Sequence, residues 1–141
     1  MSAFIDAGIF VAAYNTRDDN HSRAIDLVNN AIKGQYGSLS TSDYIFDEAV
    51  ALMLARTKNP EFAFGVGEFI LGNPSRSISS FAKFIRVNEE VFSNAWIIFK
   101  RYAVKGLSFT DCTTVALMKR EKIDALLSFD RGFDGIVKRW G

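Results

Sequence analysis

The stretch S-A-F-I-D-A-G-I-F-V-A-A-Y, residues 2–14, passes from a strand pattern to a helical one within a dozen residues. Ala3-Phe4-Ile5 is a short continuous apolar run, which reads as a strand buried on both faces. Asp6 ends it, and residues 8–15 read as a helix. A strand apolar on both faces needs helices on both sides of its sheet, so this segment already points to α/β.

The flanking sequence repeats the alternation. Residues 20–33 form an amphipathic helix through Ala24, Leu27, Val28, Ala31 and Ile32, with Asn20 as N-cap and Gly34 as stop. Ser38-Leu39-Ser40 is extended. Thr41 or Ser42 then caps a strongly apolar helix running to about Arg56, and residues 61–71 give another, ended by Gly72-Asn73-Pro74. Phe81, Lys83, Ile85 and Val87 alternate as in a strand, and residues 88–104 are helical. Ser108 opens a helix over 110–121. Ala125-Leu126-Leu127 is a second buried-strand run, and a last short strand is expected at Ile136-Val137-Lys138. The expected architecture is one domain over residues 1–141, a three-layer α/β/α fold with a parallel sheet.

Composition narrows the function. Seventeen basic residues nearly balance sixteen acidic ones, so binding of nucleic acid by bulk charge is excluded. The balance is uneven along the chain: residues 1–70 hold five basic and nine acidic side chains, residues 71–141 twelve and seven. The single cysteine rules out an internal disulfide framework and fits a reducing cytoplasm. No apolar run approaches the roughly 20 residues of a membrane span, and Asp6 interrupts the apolar start where a signal peptide needs continuity. A soluble, cytoplasmic protein without membrane contact is expected.

The carboxylates carry the chemistry. In open parallel sheets, ligands gather beyond the carboxyl ends of the strands. Asp6 and Asp130 each follow a strand directly, although Asp there is equally an ordinary turn residue. Asp111 falls in the first turn of its helix, where Ser108-x-x-Asp111 also resembles a capping box. Glu48 lies between Tyr44, Ala51, Leu52 and Ala55 on an apolar flank, where an unpaired carboxylate costs several kcal/mol. Its neighbour Asp47 points towards Asp43 and suits a solvated edge. Four clustered acids repel one another unless a cation joins them, and Mg²⁺ or Mn²⁺ suits an all-oxygen site.

Four segments bear a family resemblance: F-I-D-A-G-I-F-V-A-A at 4–13, S-D-Y-I-F-D-E-A-V-A-L-M at 42–53, L-S-F-T-D-C-T-T-V-A-L-M at 107–118 and D-A-L-L-S-F-D-R-G-F at 124–133. In order and spacing they resemble PIN-domain proteins of the small kind that includes VapC-type toxin ribonucleases. The resemblance implies a five-stranded parallel sheet. It implies an acidic triad of Asp6, Glu48 and Asp111 with Asp130 as a fourth acid, together holding one or two Mg²⁺ or Mn²⁺ ions. Thr110 and Ser128 match hydroxyl positions beside those acids. The implied activity is endonucleolytic cleavage of RNA leaving a 5′-phosphate; the alternative is a catalytically weak or inactive RNA-binding or protein-interaction module. Implied partners are RNA, a small antitoxin protein if the chain is a toxin, and further copies of the chain as a homodimer or larger homo-oligomer. Ala7 and Gly8 depart from the family, which often has Thr, Ser or Asn there, and this removes one secondary hydrogen bond.

Other candidates weigh less. Arg131, beside Asp130, is the better cation for a substrate phosphate, while Lys119-Arg120-Glu121-Lys122 reads as a solvated helix end. His21 has no second His or nearby Cys to form a site with. Cys112 has no base to activate it. Gly65-x-Gly67 lies in a helix and follows no strand, so it is not a dinucleotide fingerprint. The Phe-rich runs read as core or subunit interface rather than base-stacking platforms. Whether Asp47 or Asp134 assists the acids is left open.

Overall fold

In the computed structural model, which describes residues 1–141, β1 (Ser2–Ile5) occupies the centre of a five-stranded parallel sheet. It lies between β2 (Ser38–Ser42) and β4 (Ala125–Leu127). β3 (Lys83–Ile85) and β5 (Arg139–Trp140) form the edges, giving the order β3-β2-β1-β4-β5. In register, Phe4 stands between Ser40 and Leu126. Ala3, Phe4, Ile5 and all three residues of β4 are fully buried, which explains the unbroken apolar runs.

The helices are α1 (Ala7–Tyr14), α2 (His21–Ile32), α3 (Asp43–Thr57), α4 (Pro60–Leu71), α5 (Glu89–Tyr102) and α6 (Phe109–Glu121). Helices α1 to α4 pack with one another, as α5 does with α6. Right-handed crossovers place the two groups on opposite faces, completing the three layers. Polar caps set the boundaries. The Ser42 hydroxyl accepts from the Ile45 N–H at 3.2 Å, the Asn59 side chain from Glu61 at 3.0 Å and the Asn88 side chain from Val91 at 2.9 Å. One contiguous core of 30 buried residues runs under both layers.

Three expectations need correction. The last strand is Arg139–Trp140, not 136–138. The N–H groups of Ile136 and Val137 both donate to the Phe133 carbonyl, at 3.0 and 3.2 Å, so these residues complete a turn instead of a ladder. β3 keeps only Lys83–Ile85 of the alternating run, pairing with Ser40–Ser42 at the end of β2. Asn20 stands at the start of α2, but its side chain makes no capping bond; its N–H instead donates to Asp18 Oδ1 at 2.9 Å. The Phe-rich runs divide: Phe69, Phe81, Phe84 and Phe99 pack against the core, whereas Phe62, Phe64 and Phe92 are exposed.

Candidate active site

The chain leaves β1 towards β2 and β3, then crosses back to β4, so the carboxyl ends of β1 and β4 flank a topological switch point. Asp6 continues β1 there, its N–H donating to the Leu127 carbonyl at 3.0 Å. The Thr41 hydroxyl fixes the adjoining Ile5 carbonyl at 3.1 Å. Asp6 Oδ1 accepts from the Ala7 N–H at 2.9 Å, capping α1, and Oδ2 accepts from the Ser128 hydroxyl at 2.6 Å. Ser128 is wholly buried, and its oxygen also accepts from the Asp130 N–H at 3.0 Å. One hydroxyl therefore joins the ends of β1 and β4.

Asp111 is held by the capping box that its spacing suggested. Its Oδ2 accepts from the Ser108 N–H at 2.9 Å, and the Ser108 hydroxyl accepts from the Asp111 N–H at 3.1 Å. The cap aims the carboxylate rather than exhausting it, since a carboxylate has about four acceptor sites. Glu48 projects from the second turn of α3 and is half-buried, while Asp47 beside it is exposed.

Asp6, Glu48 and Asp111 converge: one carboxylate oxygen from each lies within 4.8 Å of the others. Their proximity and burial carry an electrostatic cost. Burial, followed by the charges of Asp111 and Asp130, pushes Asp6 up to about 6, against the opposing bonds from Ser128 and Ala7. Burial and the charges of Asp6, Asp111, Asp130 and Asp47 push Glu48 up to about 7. Burial also raises Asp111, with the Ser108 bonds opposing. Three mutually repelling oxygen donors with no nitrogen or sulfur among them fit a hard divalent cation.

Asp130 is exposed and lies outside this triad, at the rim of the same cleft, where its Oδ1 accepts from the Gly132 N–H at 2.8 Å. A Cβ at Gly132 would stand 3.0 Å from that oxygen, so a larger residue there would push the Asp130 carboxylate back by a few tenths of an ångström. Thr110 is half-buried with its carbonyl accepting from the Thr113 hydroxyl at 2.6 Å, and Arg131 is exposed; neither lines the cleft. Asp134 is engaged by Arg139 at 2.7 Å, and that bond holds its carboxyl below the usual range. His21 ties α2 to α1 through Nδ1 and the Ala12 carbonyl, 2.7 Å apart. Burial and Asp111 push the Cys112 thiol up to about 11, leaving it protonated.

The cleft has a volume of about 690 Å³ and extends well beyond the acids. Its far part is built by Asn15, Arg17, Asp18 and Asp19 between α1 and α2, and by Arg56 at the end of α3. In the sequence the first four pass for an ordinary polar connection; the available signal was Arg56, eight residues beyond Glu48 on the same helix.

The sequence profile of the PIN domain matches residues 3–138. The chain belongs to the PIN-domain family. This PIN-domain protein is 31% identical over 134 residues to the VapC ribonuclease of Archaeoglobus fulgidus, covering 94% of this chain and 80% of that protein. Its fold is similar to that of Mycobacterium tuberculosis VapC20, a sarcin-ricin loop cleaving toxin, with a TM-score of 0.78 and 23% identity over 93% and 92% of the two chains. It is also similar to a chain of Rickettsia felis VapBC2 bound to a promoter DNA fragment, with a TM-score of 0.66 and 14% identity over the full length of both. A chain of FitAcB from Neisseria gonorrhoeae matches with a TM-score of 0.65 and 13% identity over 99% and 96%.

Proposed function

We propose that this PIN-domain protein is a metal-dependent endoribonuclease whose site is the cleft over β1 and β4. The observation that carries this is the convergence of Asp6, Glu48 and Asp111 within 4.8 Å, with Asp6 and Glu48 both held at raised pKa. These three would hold Mg²⁺ or Mn²⁺, and Asp130 at the rim would add a fourth oxygen donor. Bound there, such an ion polarises phosphate oxygens and acidifies water, the chemistry of phosphodiester hydrolysis. Ser128 is a positioning residue: its hydroxyl holds Asp6 while its oxygen holds the Asp130 backbone. Ser108 positions Asp111 in another way, its backbone N–H donating to the carboxylate and its hydroxyl accepting from the Asp111 N–H. Arg131 and Thr110, outside the cleft, would meet the flanks of a bound strand.

The VapC ribonuclease relative supports RNA as substrate. Toxin–antitoxin complexes among the proteins of similar fold support a small antitoxin as partner. The exposed side chains Phe62, Phe64 and Leu71 on α4 offer apolar surface to an antitoxin or a second copy. No helix is long and apolar enough to cross a membrane. A purely interacting module has no use for three carboxylates kept in mutual repulsion.

Cleavage of single-stranded and structured RNA in Mn²⁺ tests the reading. Asp6→Asn and Asp111→Asn should each lower the rate by at least the roughly 10–100-fold that loss of a group supporting a metal ligand costs, and excess EDTA should abolish it. Activity that survives both substitutions, or persists in EDTA, excludes the mechanism.

A further inference from the structure

The metal end of the cleft accounts for one phosphate of a nucleic acid and leaves the others unexplained. Six carboxylates line the cleft, against only two cationic side chains, Arg17 and Arg56. A polyanion entering such a groove meets repulsion along its whole length except where a cation stands. Both belong to the far end, away from Asp6, Glu48 and Asp111, where Asp18 and Asp19 also stand.

The geometry along α3 is regular. Glu48, Leu52 and Arg56 all line the cleft and follow one another at i, i+4 and i+8, a single stripe of the helix. At 1.5 Å per residue, the eight steps from Glu48 to Arg56 span about 12 Å. A strand stacked at about 3.4 Å per nucleotide covers that distance in three to four steps. The stripe therefore presents a carboxylate at the metal, an apolar side chain midway, where a base or sugar can lie, and a guanidinium at the far end.

Arg56 is not free. Its Nη1 donates to Asp18 Oδ2 at 3.2 Å, while the Arg56 side chain remains 50% exposed and that of Asp18 is 13% exposed. One donor of a fork that carries five is engaged, and the guanidinium side of the pair is open to solvent, which weakens it. Asp18 is the fixed partner: its Oδ1 accepts from the Asn20 N–H at 2.9 Å and its carbonyl from the His21 N–H at 3.0 Å. A phosphate offers the planar, bidentate geometry that a guanidinium prefers, and it can displace a single-contact carboxylate.

We propose that Arg56 is a phosphate subsite for the RNA backbone three to four nucleotides from the scissile bond, and that Asp18 is the internal anion which occupies it when no strand is bound. Arg17, from the same segment as Asp18, supplies the second positive charge at that end. This rests on the nuclease reading of the carboxylate end, but its own readout is binding.

The test follows an unstructured RNA hexamer in two ways: equilibrium binding by anisotropy in EDTA, where no cleavage is expected, and KM and kcat in Mn²⁺. Arg56→Gln should weaken hexamer binding and raise KM about tenfold with kcat unchanged, the loss expected for one charge-assisted contact. Binding of a dinucleotide, too short to span the stripe, should not change. Asp18→Asn keeps the amide oxygen for the Asn20 N–H and removes the competing charge, so it should tighten hexamer binding by a few-fold. Arg56→Lys should recover part of the loss. A structural tie alone would lower melting temperature in both variants and leave hexamer affinity alone, and that result overturns the proposal, as does weaker binding in Asp18→Asn. If the wild type binds with these opposed shifts yet never cleaves, the nuclease reading falls and the subsite stands. If it cleaves and Arg56→Gln binds as well as wild type, the reverse holds.

Discussion

Glu48 shows how a single residue can be costly to the fold and useful to the site. It has no hydrogen-bond partner within the chain to offset its burial, unlike Asp6 with Ser128 or Asp111 with Ser108. Its pKa of about 7 in the folded protein lies above the ordinary 4.5, so the folded state binds this proton more tightly than the unfolded chain. Metal-free stability therefore rises as pH falls through about 7, and the penalty of the charged group is present in full only above it. Glu48→Gln removes that charge with little change in shape. Without metal at about pH 8 the variant should be more stable than wild type, by on the order of 1 kcal/mol after discounting for solvent reaching a half-buried side chain. The gap should close below about pH 5, and the variant should lose most of the stabilisation that Mn²⁺ gives wild type. Urea unfolding in EDTA at the two pH values, repeated with Mn²⁺, measures all three. A variant no more stable than wild type at the higher pH would show that the carboxylates do not strain the fold.

At the scale of elements, the helix termini deliver the carboxylates. Asp6 is the N-cap of α1, and Asp111 is the third residue of α6, so each belongs to a helix start and to the cleft together. This is why the capping box between Ser108 and Asp111 could be seen in the sequence without settling what Asp111 does: structure and site share the same atoms. Ser108→Ala removes one half of the box. It should cost about 1 kcal/mol of stability, the usual value of an N-cap. It should also reduce cleavage more than the stability loss explains, because Asp111 loses the geometry set by the pair; denaturant unfolding and initial rates on the same preparations separate the two effects. The central strands were legible because burial on both faces leaves an unbroken apolar run, as at Ala3–Ile5 and Ala125–Leu127. The edges were not. Edge strands pair on one side only, so Phe81 and Val87 could alternate without joining the ladder, and Ile136–Val137 could be apolar while forming a turn. Asp130 was legible as a strand-end acid, but its place at the rim depends on the turn through Gly132, which periodicity does not encode. The far part of the cleft was hidden for a similar reason: Asn15 to Asn20 is bonded within itself, and only the fold brings it opposite Arg56.

Across the whole molecule the near-cancellation of charge is spatially organised. The acidic first half supplies Asp6, Asp18, Asp19 and Glu48 to the cleft, while the basic second half supplies Asp111 and Asp130 but no lining cation. Of the twelve basic residues of the second half, none lines the cleft, and four, Lys100, Arg101, Lys119 and Arg120, stand on α5 and α6. Two accounts of RNA binding then differ in a measurable way. If the strand is held by the cleft alone, the chain itself neutralises about two phosphates, through Arg17 and Arg56. For a single strand the salt slope is about −0.7 per phosphate neutralised, so affinity should fall only about sevenfold between 50 and 200 mM salt. If the basic faces of α5 and α6 also bind, all five internucleotide phosphates of the hexamer are engaged and the fall is about a hundredfold or more. The absence of cations from the cleft outside its far end favours the shallow slope, with metal ions supplying the charge at the other end. Anisotropy titrations of the RNA hexamer across that salt range, at fixed Mn²⁺ with a cleavage-deficient Asp111→Asn variant and in EDTA with wild type, decide between them. A steep slope in both would move the RNA off the cleft and onto the basic helices.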